Sequence, residues 1–249
     1  MSESKYFKFT NAVIVVPLVG IILIWTVFWI ELRFHVNLNE YGVYPRTLKG
    51  FRGVVLSPFI HGSVEHLYNN TLPLAILTAS LVYFYKKISL KVLLYGVLVS
   101  GIITWFIGRS SYHIGASGII YVLASFIFFK GIFTKYYRLV ALSLIVVFIY
   151  GSMLWYIFPI KDEISWEGHL GGFITGLLLA IIIKTETPST KKFDWEHEDY
   201  NEDADDFLKH FDEEGNFIET KPEDDKPGAQ AMKINYHYRH IKKRESPED

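Results

Sequence analysis

The chain has 249 residues, half of them hydrophobic, with 25 Lys and Arg against 26 Asp and Glu and no cysteine. A formal charge of −1 argues against a strongly basic nucleic-acid surface, so no nucleic-acid partner is expected. The lack of cysteine excludes disulfide scaffolds, thiolate catalysis and Cys-rich zinc sites.

The apolar residues are unevenly distributed. Residues 12–184 hold nearly all the long apolar runs, whereas 185–249 are dominated by Asp, Glu, Lys, His and Asn and cannot bury a core of their own. A membrane span needs roughly 20 mainly apolar residues. Six candidates follow in order: 12–30, about 67–85, about 88–107, 116–129, 139–160 and 168–183. The first is long enough to span and lacks a small-residue cleavage pattern before Glu31, so it reads as a retained helix and not as a signal peptide. The fourth and sixth are short and rich in glycine at their N-terminal ends. The long connection 31–65 is aromatic and punctuated by glycine, which predicts structure of its own.

Cytoplasmic loops of membrane proteins collect Lys and Arg. With the N-terminus inside, the inner set is Lys5, Lys8, Lys86, Lys87, Lys91, Lys130, Lys135, Arg138, Lys184, Lys191 and Lys192. The outer set is Arg33, Arg46, Lys49, Arg52, Arg109 and Lys161. This bias predicts both termini in the cytoplasm, 1–11 as a cytoplasmic N-terminus, 12–184 as the membrane domain and 185–249 as a polar, partly disordered cytoplasmic tail. Within the tail, an acidic stretch at 194–214 precedes a basic one at 237–244, and Phe207, Leu208 and Phe211 suit a short helix. Tyr236 and Tyr238 beside the basic stretch can touch anionic headgroups, although a solvated extension explains the composition as well.

Polar side chains at membrane depth are costly, so each needs a partner or a task. His61, His66, Asn70, Ser117 and His169 all fall at the outer ends of the second, fourth and sixth runs. Ser117 sits in Gly115-Ala116-Ser117-Gly118. A membrane serine commonly bonds back to its own helix. The flanking glycines instead permit close backbone approach and leave the Ser117 amide free near a helix N-terminus, where it can meet an oxyanion.

His169 opens the last run, in which Gly168, Gly172, Gly176 and Ala180 recur every fourth residue. Such a stripe suits tight helix packing. It serves packing alone, or it brings His169 to the fourth helix and to Ser117. An imidazole is the side chain suited to take a serine proton near neutral pH. The acids before 184, Glu3, Glu31, Glu40, Glu65, Asp162, Glu163 and Glu167, all lie outside the apolar runs. The economical expectation is therefore a Ser-His dyad positioned by packing, with Tyr121 one turn after Ser117 as a surface. Ser63 is the expected N-cap of the second helix. His66 and Asn70, four apart, then project as two donors on one face and can stabilise a carbonyl oxyanion. His61 and His66 are poorly spaced as metal ligands on one helix and no HExxH occurs, so neither a metal nor a cofactor is expected.

Gly115-Ala116-Ser117-Gly118, His61-x4-His66-x3-Asn70, and His169 followed by Gly172 and Gly176 together resemble the signature of rhomboid proteases across about residues 12–184. The resemblance implies an all-α, six-helix membrane bundle with a long structured first outer loop. It also implies an intramembrane serine endopeptidase acting on transmembrane protein substrates within the lipid bilayer, and a bacterial plasma membrane location. Site residues implied are the Ser117 and His169 dyad, oxyanion contacts from His66, Asn70 and the Ser117 amide, a structural hydrogen bond from His61, and Tyr121 packed on the catalytic histidine. Where many bacterial rhomboids carry a Trp-Arg pair in the first outer loop, this chain has Pro45-Arg46. Two alternatives stand beside the protease. One is a rhomboid-like chaperone or binding protein, which a damaged dyad would favour. The other is a metal or proton transporter, which acid-rich spans would favour.

Overall fold

The run from Ala12, with no charge before Glu31, forms the first helix, α1 (Ala12–Phe34). The computed structural model describes residues 9–135, 137–149, 155–161, 163–185 and parts of 193–218. At about 1.5 Å per residue, α1 exceeds the roughly 30 Å hydrocarbon core of a bilayer. Only Val13, Pro17, Ile24 and Phe28 are buried, while Ile14, Leu18, Ile22 and Trp29 are about half exposed. Soluble monomers do not display an apolar face of this length. His35 ends the helix in the left-handed region.

The connection that follows is built from short turns: a 3₁₀ turn (Asn39–Tyr41), α2 (Leu48–Phe51), α3 (Gly53–Leu56) and a second 3₁₀ turn (Ser57–Phe59). Thr47 caps α2 by accepting from the Gly50 amide. Gly50 and Gly53 are held so close to Tyr44 and to the Gly42–Val43 backbone that any side chain there would collide with main chain.

Five longer helices follow: α4 (Val64–Phe84), α5 (Ser89–Ile107), α6 (Ser117–Phe133), α7 (Tyr137–Ile149) and α8 (Trp166–Ile182). Ser63 caps α4, its hydroxyl accepting from the His66 amide at 3.0 Å. By length and composition α1 and α5 are sufficient to cross a membrane, and α6 and α8 are shorter apolar helices. Helix α6 is central, packed by α4, α5, α7 and α8, and Leu123, Phe126 and Ile127 on it are fully buried. At its far end the Lys130 ammonium donates to the carbonyls of Ala180 (3.0 Å) and Ile183 (2.6 Å). A cation thus closes the C-terminus of α8, where carbonyls lack helical partners.

The fifth apolar run differs from expectation. Its helix ends by Ile149 among the described residues, 150–154 lie outside them, and Trp155–Ile157 forms a 3₁₀ turn. Hydropathy continues through Ile160, but Pro159 cannot continue a helix and disfavours helical geometry at Phe158.

The chain divides into two compact units, Met1–Thr190 and Lys191–Asp249. In the second, Phe211 and Phe217 form an isolated antiparallel bridge, and the turn between them is closed by Asp212, which accepts from the amides of Glu214 and Asn216. Where a short helix was expected around Phe207, Leu208 and Phe211, a single 3₁₀ turn (Leu208–His210) occurs. The basic stretch 237–244 with Tyr236 and Tyr238, and also Lys5, Lys8, Lys191, Lys192 and Asp162, fall outside the described residues.

Candidate active site

Ser117 is the first residue of α6, so its amide is among those with no carbonyl one turn back. The two residues before it are tightly held. The Gly115 amide donates to the Ser57 carbonyl (2.9 Å) and the Ala116 amide to His61 Nε2 (3.3 Å). Gly115 has φ +105°, and a Cβ there would lie 2.5 Å from His66 Nε2 and 3.6 Å from Asn70 Nδ2. Only glycine meets both demands. His61 is almost fully buried; burial, assisted by the neighbouring His66, pulls its pKa down to about 4. A neutral ring accepting at Nε2 carries its proton on Nδ1.

His169 lies in the first turn of α8 and is buried. Its Nε2 is 2.9 Å from Ser117 Oγ, and its Nδ1 is 2.9 Å from the Tyr156 carbonyl. A carbonyl only accepts, so Nδ1 carries the proton and the Nε2 lone pair faces the serine hydroxyl. The ring stacks on Tyr121 at 4.4 Å between centroids and 15° between planes. A backbone carbonyl and an aromatic face therefore fix the orientation that a carboxylate fixes in a triad.

The glycine stripe divides its contacts. A Cβ on Gly172 would collide with the Gly118 carbonyl and approach Tyr121 Cβ (2.9 Å), and one on Gly176 would collide with the Val122 carbonyl. These two seat α8 on α6. Gly171, outside the expected stripe, faces Ser100 and Thr104 of α5, and Gly168 lies against Ser165.

His66 and Asn70 line a cavity of about 1000 Å³ that is also lined by Ser117, His169 and Tyr156. Asn70 is buried and its Nδ2 has no hydrogen-bond partner among the described residues. An unmet buried donor ordinarily costs about 1–3 kcal/mol. Asn70 and Ser117 line the same cavity, which places this unmet donor on the side of the site where the serine hydroxyl lies.

A second polar cluster adjoins this site and was not visible in the sequence. Glu167, two residues before His169, is 1% exposed. Its Oε1 accepts from the Arg109 amide (3.0 Å), and its Oε2 lies 3.6 Å from Arg109 Nη1 and 4.0 Å from His113 Nδ1. Arg109 also donates to the Ile164 carbonyl (2.9 Å). His113 Nε2 donates to the Arg109 carbonyl (3.2 Å), which leaves Nδ1 to accept from the Ser165 hydroxyl (2.5 Å). Burial holds the His113 pKa below its ordinary value, consistent with that neutral form. The His113 backbone exchanges two hydrogen bonds with Val43 (3.0 and 2.8 Å), and the Arg46 guanidinium donates to the carbonyls of Phe106 and Gly108. The first connection thus braces the segment that leads to Ser117. In the sequence Glu167 is one of the acids outside the apolar runs, and its partners lie more than fifty residues away.

The Rhomboid domain pattern matches residues 49–186, more than half of the chain. The chain belongs to the rhomboid family and is a membrane protein, and its described residues form helices and no extended strand. It is 29% identical to an uncharacterized protein of Mycobacterium tuberculosis over 158 residues, 59% of this chain and 65% of that protein. It is also 29% identical to an uncharacterized protein of Mycobacterium leprae over 150 residues, 56% of this chain and 59% of that protein. The chain therefore spans less than two thirds of the length of either relative. The rhomboid family is generally one of intramembrane serine proteases and includes inactive members.

Proposed function

We propose that this protein is an intramembrane serine endopeptidase that cleaves transmembrane segments of other membrane proteins near the outer surface, with Ser117 as nucleophile and His169 as base. The observation that carries this reading is the 2.9 Å contact from His169 Nε2 to Ser117 Oγ, with Nδ1 held by the Tyr156 carbonyl. In that tautomer the imidazole takes the serine proton as Oγ attacks the scissile carbonyl. The resulting oxyanion is met by the Ser117 amide, His66 and Asn70, each such donor contributing on the order of 10²–10³ in rate. His169 then protonates the departing amine, and a water entering through the cavity hydrolyses the acyl-enzyme with His169 again as base. A spanning helix hides its backbone, so a substrate needs a segment that unwinds readily.

The same reading makes α1, α4, α5, α6, α7 and α8 the six spans, with the α1–α4 connection as a structured outer loop and both termini in the cytoplasm. It assigns 1–11 to a cytoplasmic N-terminus, 12–184 to the protease domain and 185–249 to the tail. The mycobacterial relatives favour a bacterial plasma membrane.

The test is cleavage of a model transmembrane substrate by the purified, reconstituted protein. Ser117→Ala and His169→Ala are each expected to abolish cleavage while remaining folded, and a fluorophosphonate is expected to label the wild type at Ser117. Full activity in Ser117→Ala would overturn the reading. A folded wild type that binds transmembrane segments without cutting any would favour a chaperone instead.

A further inference from the structure

The cluster of Glu167, Arg109, His113 and Ser165 joins two parts of the chain that carry different halves of the candidate site. Arg109 and His113 belong to the connection between α5 and α6, which ends at Ser117. Glu167 and Ser165 stand at the start of α8, which carries His169. Between them run the Arg109 amide to Glu167 Oε1 bond (3.0 Å), the Arg109 guanidinium beside Oε2 (3.6 Å) and the His113 contact with Ser165 (2.5 Å).

Glu167 is not a third member of a triad. His169 Nδ1 is already taken by the Tyr156 carbonyl, and residues two apart on a helix do not face one another. Nor is an ion pair between a buried carboxylate and a part-exposed guanidinium an efficient source of stability, since desolvation of the carboxylate offsets much of the attraction. What the carboxylate supplies and an apolar side chain cannot is a fixed register between two backbone segments, set by the hydrogen bond from the Arg109 amide together with the negative charge that holds the Arg109 guanidinium beside it.

We propose that Glu167 is a positioning residue: together with Arg109 and His113 it locks the connection ending in Ser117 to the first turn of α8, and so sets the distance and angle between hydroxyl and imidazole. Its partners are themselves held from behind. Val43 clamps the His113 backbone, and Arg109 reaches on to the Ile164 carbonyl. The inference rests on the protease reading above, since the register matters to function only if Ser117 and His169 react together.

The test is Glu167→Gln in the full chain, which keeps the size of the side chain and one oxygen for the Arg109 amide while removing the charge. Active sites are titrated with a fluorophosphonate, so that kcat is expressed per folded, reactive molecule. A misplacement of about 1 Å costs roughly 10²-fold in rate, so kcat is expected to fall by about 10-fold or more. KM should stay within about twofold, and the fluorophosphonate should label Ser117 more slowly. Arg109→Gln is expected to give the same pattern, and the double variant to be no worse than either single one, because both substitutions break one lock. Should Glu167→Gln fail to fold, Arg109→Lys takes its place, with a smaller fall in kcat at unchanged KM. Wild-type kcat per active site in these variants, or losses that multiply in the double variant, would overturn the positioning role. A wild type without Ser117-dependent cleavage would instead overturn the protease reading itself.

Discussion

Helix α1 buries four of its 23 residues, whereas α6 buries eleven of its 17. In sequence the two runs are alike: long series of Ile, Val, Leu and Phe with no acid over most of their length. Helix α1 meets α4 along one stripe and turns the rest of its surface outward, but α6 is enclosed by four other helices. Lipid and protein interior are equally apolar, so hydrophobicity alone does not say which surrounds a helix. What distinguishes α6 is small and polar. Gly118 and Ser125 on it, and Gly172 and Gly176 facing it, allow backbones to approach, and Ser117 and Lys130 at its two ends bond across to α8.

The sharpest test of this comparison is a side chain added where α8 meets α6. In Gly172→Val the new Cβ is driven into the Gly118 carbonyl and against Tyr121. One turn separates Gly172 from His169, so any retreat of α8 moves the imidazole from Ser117. A loss of activity of roughly 10²-fold or more is expected from such a shift, measured as cleavage per folded molecule, although no group of the site has been altered. Wild-type activity in Gly172→Val would mean that the close α6–α8 contact does not set the separation of Ser117 and His169 that the proposed mechanism requires.

Glycines every fourth residue predicted a tight helix contact but left its partner open, and Ser117, His66, Asn70 and His169 stood out in the sequence as polar exceptions at the ends of apolar runs. The Ser63 cap followed from its position just before such a run. Two features were hidden for different reasons. The Tyr156 carbonyl that orients His169 is a backbone group, and it lies in a 3₁₀ turn within the run 139–160, which was expected to form a single span. Glu167 is buried against Arg109 and His113, which come from another part of the chain. Nothing in the residues around Glu167 names those partners, because they are single side chains on an irregular connection with no periodicity of their own.

A smaller difference should appear when side-chain volume is removed. Phe126 is fully buried in α6, and Phe126→Ala leaves a cavity that its neighbours cannot fill, at a cost of about 3–5 kcal/mol. Ile22 of α1 is half exposed. Ile22→Val exchanges one apolar surface for another against fluid lipid, which fills the space, and its effect should stay within about 0.5 kcal/mol. Thermal or denaturant unfolding in a fixed detergent or bilayer measures both. A large loss at Ile22 would show that α1 is packed by a partner on that face.

The smallest effect is expected at Gly20, and its sign is informative. A Cβ built on Gly20 meets nothing within 4 Å, unlike one on Gly172. Glycine inside a helix costs roughly 0.5–1 kcal/mol relative to alanine, because the unfolded chain loses more freedom on forming the helix. Gly20→Ala should therefore leave cleavage unchanged and either leave stability unaltered or raise it by up to about 1 kcal/mol. Gly172→Ala, the same chemical change, should lower both, since its Cβ has no space. If Gly20→Ala were instead destabilising, α1 would be using that glycine for a close helix contact, and its outward face would be an interface and not a lipid surface.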